Sequence, residues 1–440
     1  MIAEFKIKNF HSLRDEQTLS FIPTNDTTSE EIYTEKVANG VKLLKIGCIY
    51  GSNASGKTNI LHALDFFSHF MVDSNQKKGE ETGVIPFLLD DISNKEKTEF
   101  EMTFYLEGER YKLSLVLDSK IIYKETLLIY SSTQPTLLYD RIYNAKTDAT
   151  EIKFGTKSGL LKKSREAIEG NTIINRSVIA AFGISNVEKT KLNLVYDMFS
   201  KHIAPAMLPT NYLMGFIKRN LEERKGGKIK KFILHFLKAS DFNISDISIH
   251  NEEVRISPEM EMFIKNSSGM SDKEKEETLR RGTVSNDELY FTHHTANGDK
   301  ELDEELESMG TRRYMGLATI LYDLLSHSIV LPIDEIETSI HYELLSYFIK
   351  VFLVNSKKQS QLILTTHDTN LLDEDYIRRD TIWFTDKNDC GATQLLRLSS
   401  LGLHKTMSVY NAYKQEKLVN LPFLESIYLD KDLYEEESEA

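Results

Sequence analysis

Gly51-Ser52-Asn53-Ala54-Ser55-Gly56-Lys57-Thr58-Asn59 satisfies G-x-x-x-x-G-K-[ST], the pattern of a phosphate-binding loop, and its flanks supply the context that pattern needs. Ahead of it, Leu44-Lys45-Ile46-Gly47-Cys48-Ile49-Tyr50 is an apolar run that reads as a buried strand. Behind it, Ile60, Leu61, Ala63, Leu64 and Phe67 recur at helical spacing. A strand, a glycine loop and a helix in that order leave backbone N–H groups and a helix N-terminus facing an anion. Gly51 and Gly56 let the chain pass where a Cβ would collide. Lys57 is expected to reach the β- and γ-phosphates, and the Thr58 hydroxyl to take one Mg²⁺ position. The stretch predicts a site for a nucleoside triphosphate.

Such a loop needs a carboxylate at the end of a nearby strand. Ile329-Val330-Leu331-Pro332-Ile333-Asp334-Glu335 is the apolar run ending in an acidic pair that fits. Asp334 is expected to hold Mg²⁺, largely through its water shell, and Glu335 to orient or deprotonate the attacking water. Pro332 is awkward in a strand because it has no N–H to donate. The separation of Lys57 from Asp334 along the chain is too long for a compact nucleotide-binding core without an insertion. That length points away from simple GTPases.

Two further groups belong to the same reading. Glu307-Ser308-Met309-Gly310-Thr311-Arg312-Arg313 precedes a helical pattern through Tyr314, Leu317, Ala318, Leu321, Leu324 and Leu325, so Ser308, Gly310 and Thr311 open a second anion-binding helix end. One chain does not readily present two helix ends to the same γ-phosphate, whereas two chains head to tail do. Leu362-Ile363-Leu364-Thr365-Thr366-His367-Asp368 reads as a strand ending in an imidazole able to donate to that phosphate.

At 440 residues, with 40% hydrophobic and 28% charged content, the chain is of soluble globular composition with room for two or three domains. No apolar run reaches membrane-spanning length and Met1 opens no leader pattern, so a cytoplasmic ATPase is expected, a soluble transporter subunit staying open. Two cysteines, Cys48 and Cys390, form neither a disulfide framework nor a metal spacing. A net charge of −13 argues against a general nucleic-acid coat. Lys218, Arg219, Arg224, Lys225, Lys228, Lys230 and Lys231 form one basic stretch, either a contact for phosphate backbone or an acidic partner, or a solvated helix face. Asp430 to Ala440 reads as a frayed acidic tail.

Period-two alternation predicts strands at Ile2 to Phe10 and Thr18 to Phe21, a hairpin from Phe100 to Leu117, and a strand from Ile121 to Tyr130. From about Ser158 the period turns helical. Three helices are expected, through Val187 to Ile203, Tyr212 to Leu221 and Ile229 to Leu237, followed by a strand from Phe242 to Ile249. Ser271-Asp272-Lys273-Glu274 has the form of a capping box. The expected organisation is an ATPase lobe over residues 1–156 and a helical insertion over 157–240. A second lobe over 241–440 would carry the Ser308 turn, the acidic strand and His367.

Taken together these motifs resemble the ABC-type ATPases of the SMC, RecF and OLD kind, and most of all the bacterial AAA family ATP-binding proteins of phage-defence operons. The N-terminal Phe5-Lys6-Ile7-Lys8-Asn9-Phe10-His11-Ser12-Leu13, the phosphate loop, and Glu307 to Thr311 as an SMC-like signature carry the resemblance. So do Asp334 to His341 as Walker B and D-loop, Thr365 to Asp368 as the switch-histidine motif, and Arg379 to Phe384 as the following strand. The resemblance implies an α/β, ABC-type P-loop ATPase head split by a helical insertion. It implies ATP and Mg²⁺ as ligands and a head-to-tail dimer or larger homo-oligomer with the signature acting in trans. A Q-loop glutamine has no clear position, Gln76 being merely nearby, and the stretch after His367 is too short for the TOPRIM-like nuclease of OLD proteins. An effector nuclease or toxin is therefore expected on a separate chain, as in PARIS, where AriA-type ATPases hold an AriB nuclease, or Septu, where PtuA pairs with an HNH protein. The alternatives are a RecF-like DNA repair or maintenance ATPase binding nucleic acid directly, and a non-catalytic assembly protein using ATP structurally.

Overall fold

Alternating apolar residues build a seven-stranded antiparallel sheet with one buried face. Its order is Ala149–Phe154, Thr136–Asn144, Ile122–Tyr130, Glu109–Leu117, Thr98–Leu106, Ile2–Lys8 and Gln17–Ser20. The computed structural model describes residues 1–420 apart from 75–76, 210–212, 224–226, 268–270, 375 and 405–406. Gln76, Arg224, Lys225 and the Asp430–Ala440 tail thus lie outside the described residues. The expected N-terminal strands and the hairpin are present, and Thr136–Asn144 with Ala149–Phe154 extends them.

The helix Lys57–Val72 is anchored on that buried face by aromatic side chains. Phe67 packs against Phe5 and Phe100 with ring centroids 5.6 and 5.5 Å apart, and Phe66 against Phe10 at 5.6 Å. Each such pair contributes about 0.5–1.5 kcal/mol beyond its buried area, enough together to fix the helix that follows the phosphate loop.

Continuous apolar runs, unlike alternating ones, signal strands covered on both faces. Ile46–Gly51 and Gln361–Thr366 are buried at every position. They lie inside a five-stranded sheet of order Val330–Ile333, Gln361–Thr366, Ile46–Gly51, Ile382–Lys387 and Thr393–Arg397. All neighbours are parallel except the last pair, so the phosphate-loop strand is central and the ends of three parallel strands converge beside it. The acidic strand Val330–Ile333 is not its immediate neighbour, because Gln361–Thr366 runs between them.

The acidic strand forms the edge of the five-stranded sheet, which resolves the difficulty of Pro332. The Val330 and Pro332 carbonyls and the Asp334 N–H bond to the 203–207 segment, so Pro332 faces the outer side, away from Gln361–Thr366. There the carbonyl accepts from the Met207 N–H at 3.0 Å, and isolated bridges join Ile203 to Val330 and Met207 to Ile333.

The chain divides into two compact units at positions other than 157 and 240. One comprises Met1–Met207, Ile329–Ile336 and the chain from Gln361 onward; the other comprises Leu208–Ser328 and Glu337–Ser360. Residues 158–207 stay with the phosphate loop for two reasons. The buried Glu125 carboxylate accepts from Ser177 Oγ at 3.1 Å and Val178 N–H at 3.0 Å, and the 203–207 segment lines the acidic strand. This stretch holds Lys162–Asn171, Val178–Gly183 and Lys191–Asp197, the last continuing as a π-helix over Met198–His202, so the helix expected from Val187 to Ile203 begins only after its Thr190 cap.

The second unit contains the expected helices Leu213–Glu223 and Lys228–Ala239 and also a three-stranded sheet, Ile244–Arg255, Thr283–Thr295 and Gly298–Asp303. Between the first two of these strands lie the helices Pro258–Asn266 and Asp272–Arg281, the latter opened by the Ser271/Glu274 capping box. The long helix Met309–Ser326 is fixed by Tyr314, which stacks on Phe236 and Phe242 at 5.1 and 5.2 Å and shares a 2.7 Å hydrogen bond with Ser240. Among the described residues no helix is long and apolar enough to cross a membrane.

Candidate functional site

The phosphate loop occupies the turn between Ile46–Gly51 and the helix starting at Lys57. Gly56 takes φ +104°, a conformation closed to most L residues, and a Cβ there would collide with Thr393 Oγ1. A Cβ on Gly51 would collide with Thr385 Oγ1 and Ser55 Oγ. The glycines are thus required first by the protein's own packing. Gly56→Ala is expected to lower the melting temperature and weaken ATP binding about tenfold or more, since it combines backbone strain of about 1–3 kcal/mol with a clash. Differential scanning fluorimetry with and without ATP would check both effects.

Hydroxyl groups from distant parts of the chain hold the loop. Ser55 Oγ and Thr385 Oγ1 are 2.6 Å apart, and Thr393 Oγ1 donates to the Ser55 carbonyl at 2.8 Å. Ser12 Oγ lies 2.7 Å from Thr393 Oγ1 and accepts from Asn59 Nδ2 at 2.6 Å. Ser12 belongs to the N-terminal motif noted above; Thr385 and Thr393 carry no local pattern.

Lys57 is only 6% exposed, and its Nζ donates to the carbonyls of Gly51 at 2.9 Å and Ser52 at 3.1 Å. The ammonium is therefore tethered over the loop. Thr58 Oγ1 donates to Asp334 Oδ2 at 2.9 Å, joining the first helical turn to the acidic strand two strands away. Asp334 is 3% exposed and Glu335 half-buried with φ 43°. A cavity of about 290 Å³ is lined by Asn53, Ala54, Gly56, Lys57, Thr58, Asn59, Glu335, His367 and Lys387. Lysine, hydroxyl, carboxylate and imidazole thus meet in one place although the sequence scatters them. Lys387, at the end of the strand Ile382–Lys387, was not legible as a lining residue.

In the other unit, Ser308 caps the helix Met309–Ser326, its Oγ accepting from the Thr311 N–H at 3.0 Å and lying 2.8 Å from Thr311 Oγ1. Ser308 is exposed, and a Cβ on Gly310 would stand 2.9 Å from the Ser339 carbonyl, so the turn and the segment after Ile336 pass close together. Glu307 is bound to His293. Arg313 is buried; desolvation lowers its pKa and the nearby Glu337 charge opposes that shift. In the basic stretch, Lys218 pairs with Glu304 at 2.9 Å and Lys230 with Asp246 at 2.7 Å.

A family model described as AAA domain, putative AbiEii toxin, Type IV TA system matches residues 46–373. The chain belongs to this AAA family. The match runs from the phosphate-loop strand past His367, so the acidic strand and the Ser308 turn lie within the AAA region. A comparison with curated proteins found no match. Among solved structures, the SMC head domain from Thermotoga maritima is 12% identical with a TM-score of 0.39, over 90% of this chain and 98% of that one. An SmcHead bound to the C-winged helix domain of ScpA is 13% identical with a TM-score of 0.44, over 94% and 99%. With its central phosphate-loop strand and the acidic strand two places away, this AAA protein has a mixed α/β P-loop fold.

Proposed function

We propose that this AAA protein hydrolyses ATP as a switch between assembly states, serving as the sensor and scaffold of an antiviral defence complex that controls a separate effector. The convergence of Lys57, Thr58, Glu335 and His367 on one cavity, with Asp334 bonded to Thr58 beside it, carries the enzymatic half of this reading. Lys57 and the N-terminal turn of the helix Lys57–Val72, at the positive end of its dipole, bind phosphate oxygens. Glu335 takes the proton of the attacking water, and His367 donates to the γ-phosphate. Thr58 and Asp334 offer only oxygen atoms, held 2.9 Å apart, which is the donor chemistry that Mg²⁺ prefers. When bound there, Mg²⁺ would neutralise charge on the β- and γ-phosphate oxygens.

The exposed Ser308 cap, with Gly310 and Thr311, supports a second copy supplying the signature turn to the nucleotide. ATP then joins subunits, and its affinity for the joined state shifts the population toward assembly. The family description, a putative toxin of a toxin–antitoxin system, supports a protein whose output is restrained until a trigger arrives. Pairing of Lys218 and Lys230 with acidic neighbours weighs against the RecF-like alternative. Native mass measurement of the complex purified from its own operon is expected to show at least two copies of this chain with a different, effector polypeptide in the cytoplasmic extract. A lone protomer enclosing its nucleotide would overturn the switch. Salt-sensitive DNA binding by the isolated chain, with no partner, would favour direct action on nucleic acid.

A further inference from the structure

The strand Gln361–Thr366 separates the acidic strand from the phosphate loop, and one of its residues binds the acidic strand's end in three ways. Thr365, fully buried, donates its hydroxyl proton to Asp334 Oδ1 at 2.5 Å. The same oxygen accepts the Glu335 N–H at 2.8 Å, and the Thr365 carbonyl accepts the Ile336 N–H at 3.2 Å. The directions follow from chemistry: an ionised carboxylate only accepts and a backbone N–H only donates, so one hydroxyl serves both. Glu335 is held at φ 43°, in the left-handed region that residues other than glycine seldom enter. Such a conformation persists where surrounding bonds over-determine it. The remaining oxygen of Asp334 is taken by Thr58, so each carboxylate oxygen is fixed by a separate threonine.

We infer that Thr365 is a positioning residue for the acidic pair: its hydroxyl aims the Asp334 carboxylate and locks the backbone turn that presents Glu335. It does not touch the nucleotide. The inference rests on the ATPase reading proposed above. Removing the hydroxyl while keeping the shape leaves Asp334 Oδ1 and the Glu335 N–H without this partner, whereas serine retains both bonds.

The test compares Thr365→Val and Thr365→Ser with the parent protein in ATP turnover and in ATP-induced thermal shift, each over a Mg²⁺ titration. Thr365→Val is expected to lower kcat about 10–100-fold, in the range of supporting-shell losses, and to raise the Mg²⁺ midpoint. Its KM for ATP and its thermal shift with ATP alone should stay within about twofold, because the phosphate loop is untouched. Thr365→Ser should restore kcat to within about threefold of the parent, having kept both hydroxyl bonds. A Thr365→Val protein with parental kcat and Mg²⁺ midpoint would overturn the inference. So would a Thr365→Ser protein as impaired as Thr365→Val, or an equal loss of ATP binding and melting temperature in both variants, which would mark a purely structural residue. If the parent binds MgATP without turnover, the hydrolytic reading fails, and the Mg²⁺-dependent part of the thermal shift alone decides on Thr365. If the parent shows neither turnover nor a MgATP shift, both readings fall.

Discussion

Lys57→Ala is expected to leave the protein without measurable ATP binding in isothermal titration. The ammonium is buried and tethered over the loop through the Gly51 and Ser52 carbonyls, so its charge is already in place before a phosphate arrives. A charge-assisted contact contributes about 1.5–3 kcal/mol, and its loss alone weakens binding about tenfold to 150-fold. Alanine also leaves two carbonyls without that donor and a gap beneath the loop. Lys57→Met, which keeps the stem and removes the charge, separates the two effects: it should retain the parent melting temperature and still fail to bind. Micromolar ATP affinity in both variants would remove Lys57 from the site.

Glu335→Gln is expected to produce the opposite phenotype, a protein that binds ATP and does not release it. The amide keeps the side chain's size and is unable to take a proton from water, so turnover should fall about 10²–10⁴-fold, the usual contribution of a general base. Because Thr365 holds the Glu335 N–H through the backbone, the substitution leaves the φ 43° turn intact. Under the proposed switch, trapped ATP should shift the population toward the assembled state, visible as a larger species in size-exclusion chromatography with light scattering. Unchanged turnover together with unchanged assembly would remove Glu335 from its role. Loss of turnover with unchanged assembly would separate hydrolysis from subunit joining and support a different partner for Ser308.

The legible part of the fold was the part written in periodic apolar residues. Phe100 to Leu117 alternates, Ile46 to Gly51 is continuously apolar, and both formed the strands that those patterns require. The strands Thr136–Asn144 and Ala149–Phe154 were missed because they lie at the sheet margin, where solvent-facing positions dilute the alternation. The compact units divide elsewhere than at 157 and 240, because periodicity reports a helix and not its partner. What ties residues 158–207 to the phosphate loop is a buried carboxylate, Glu125, and backbone bridges at Ile203 and Met207, none of which leaves a pattern.

The site shows the same division. Lys57, Thr58, Asp334, Glu335 and His367 stand out as candidates because each ends or begins an apolar element. Thr365 was quoted only as part of the switch-histidine motif, and Thr385, Thr393 and Lys387 not at all. A lone threonine in a strand has good β-propensity and announces nothing about its hydroxyl. Their contribution emerges only once the parallel sheet sets Gln361–Thr366 and Ile382–Lys387 on either side of Ile46–Gly51.

Thr393, which clasps the Gly56 turn, is synthesised more than three hundred residues after it. A nascent chain exposing Gly51 to Asn59 therefore has the letters of the motif without its latch. Chains emerge N-terminus first at about 5–20 residues per second, so tens of seconds pass before the turn can close. Capture of ATP on this account is a late event in biogenesis, and under the proposed switch a ribosome-stalled fragment ending short of Thr393 would be unable to join other copies through ATP.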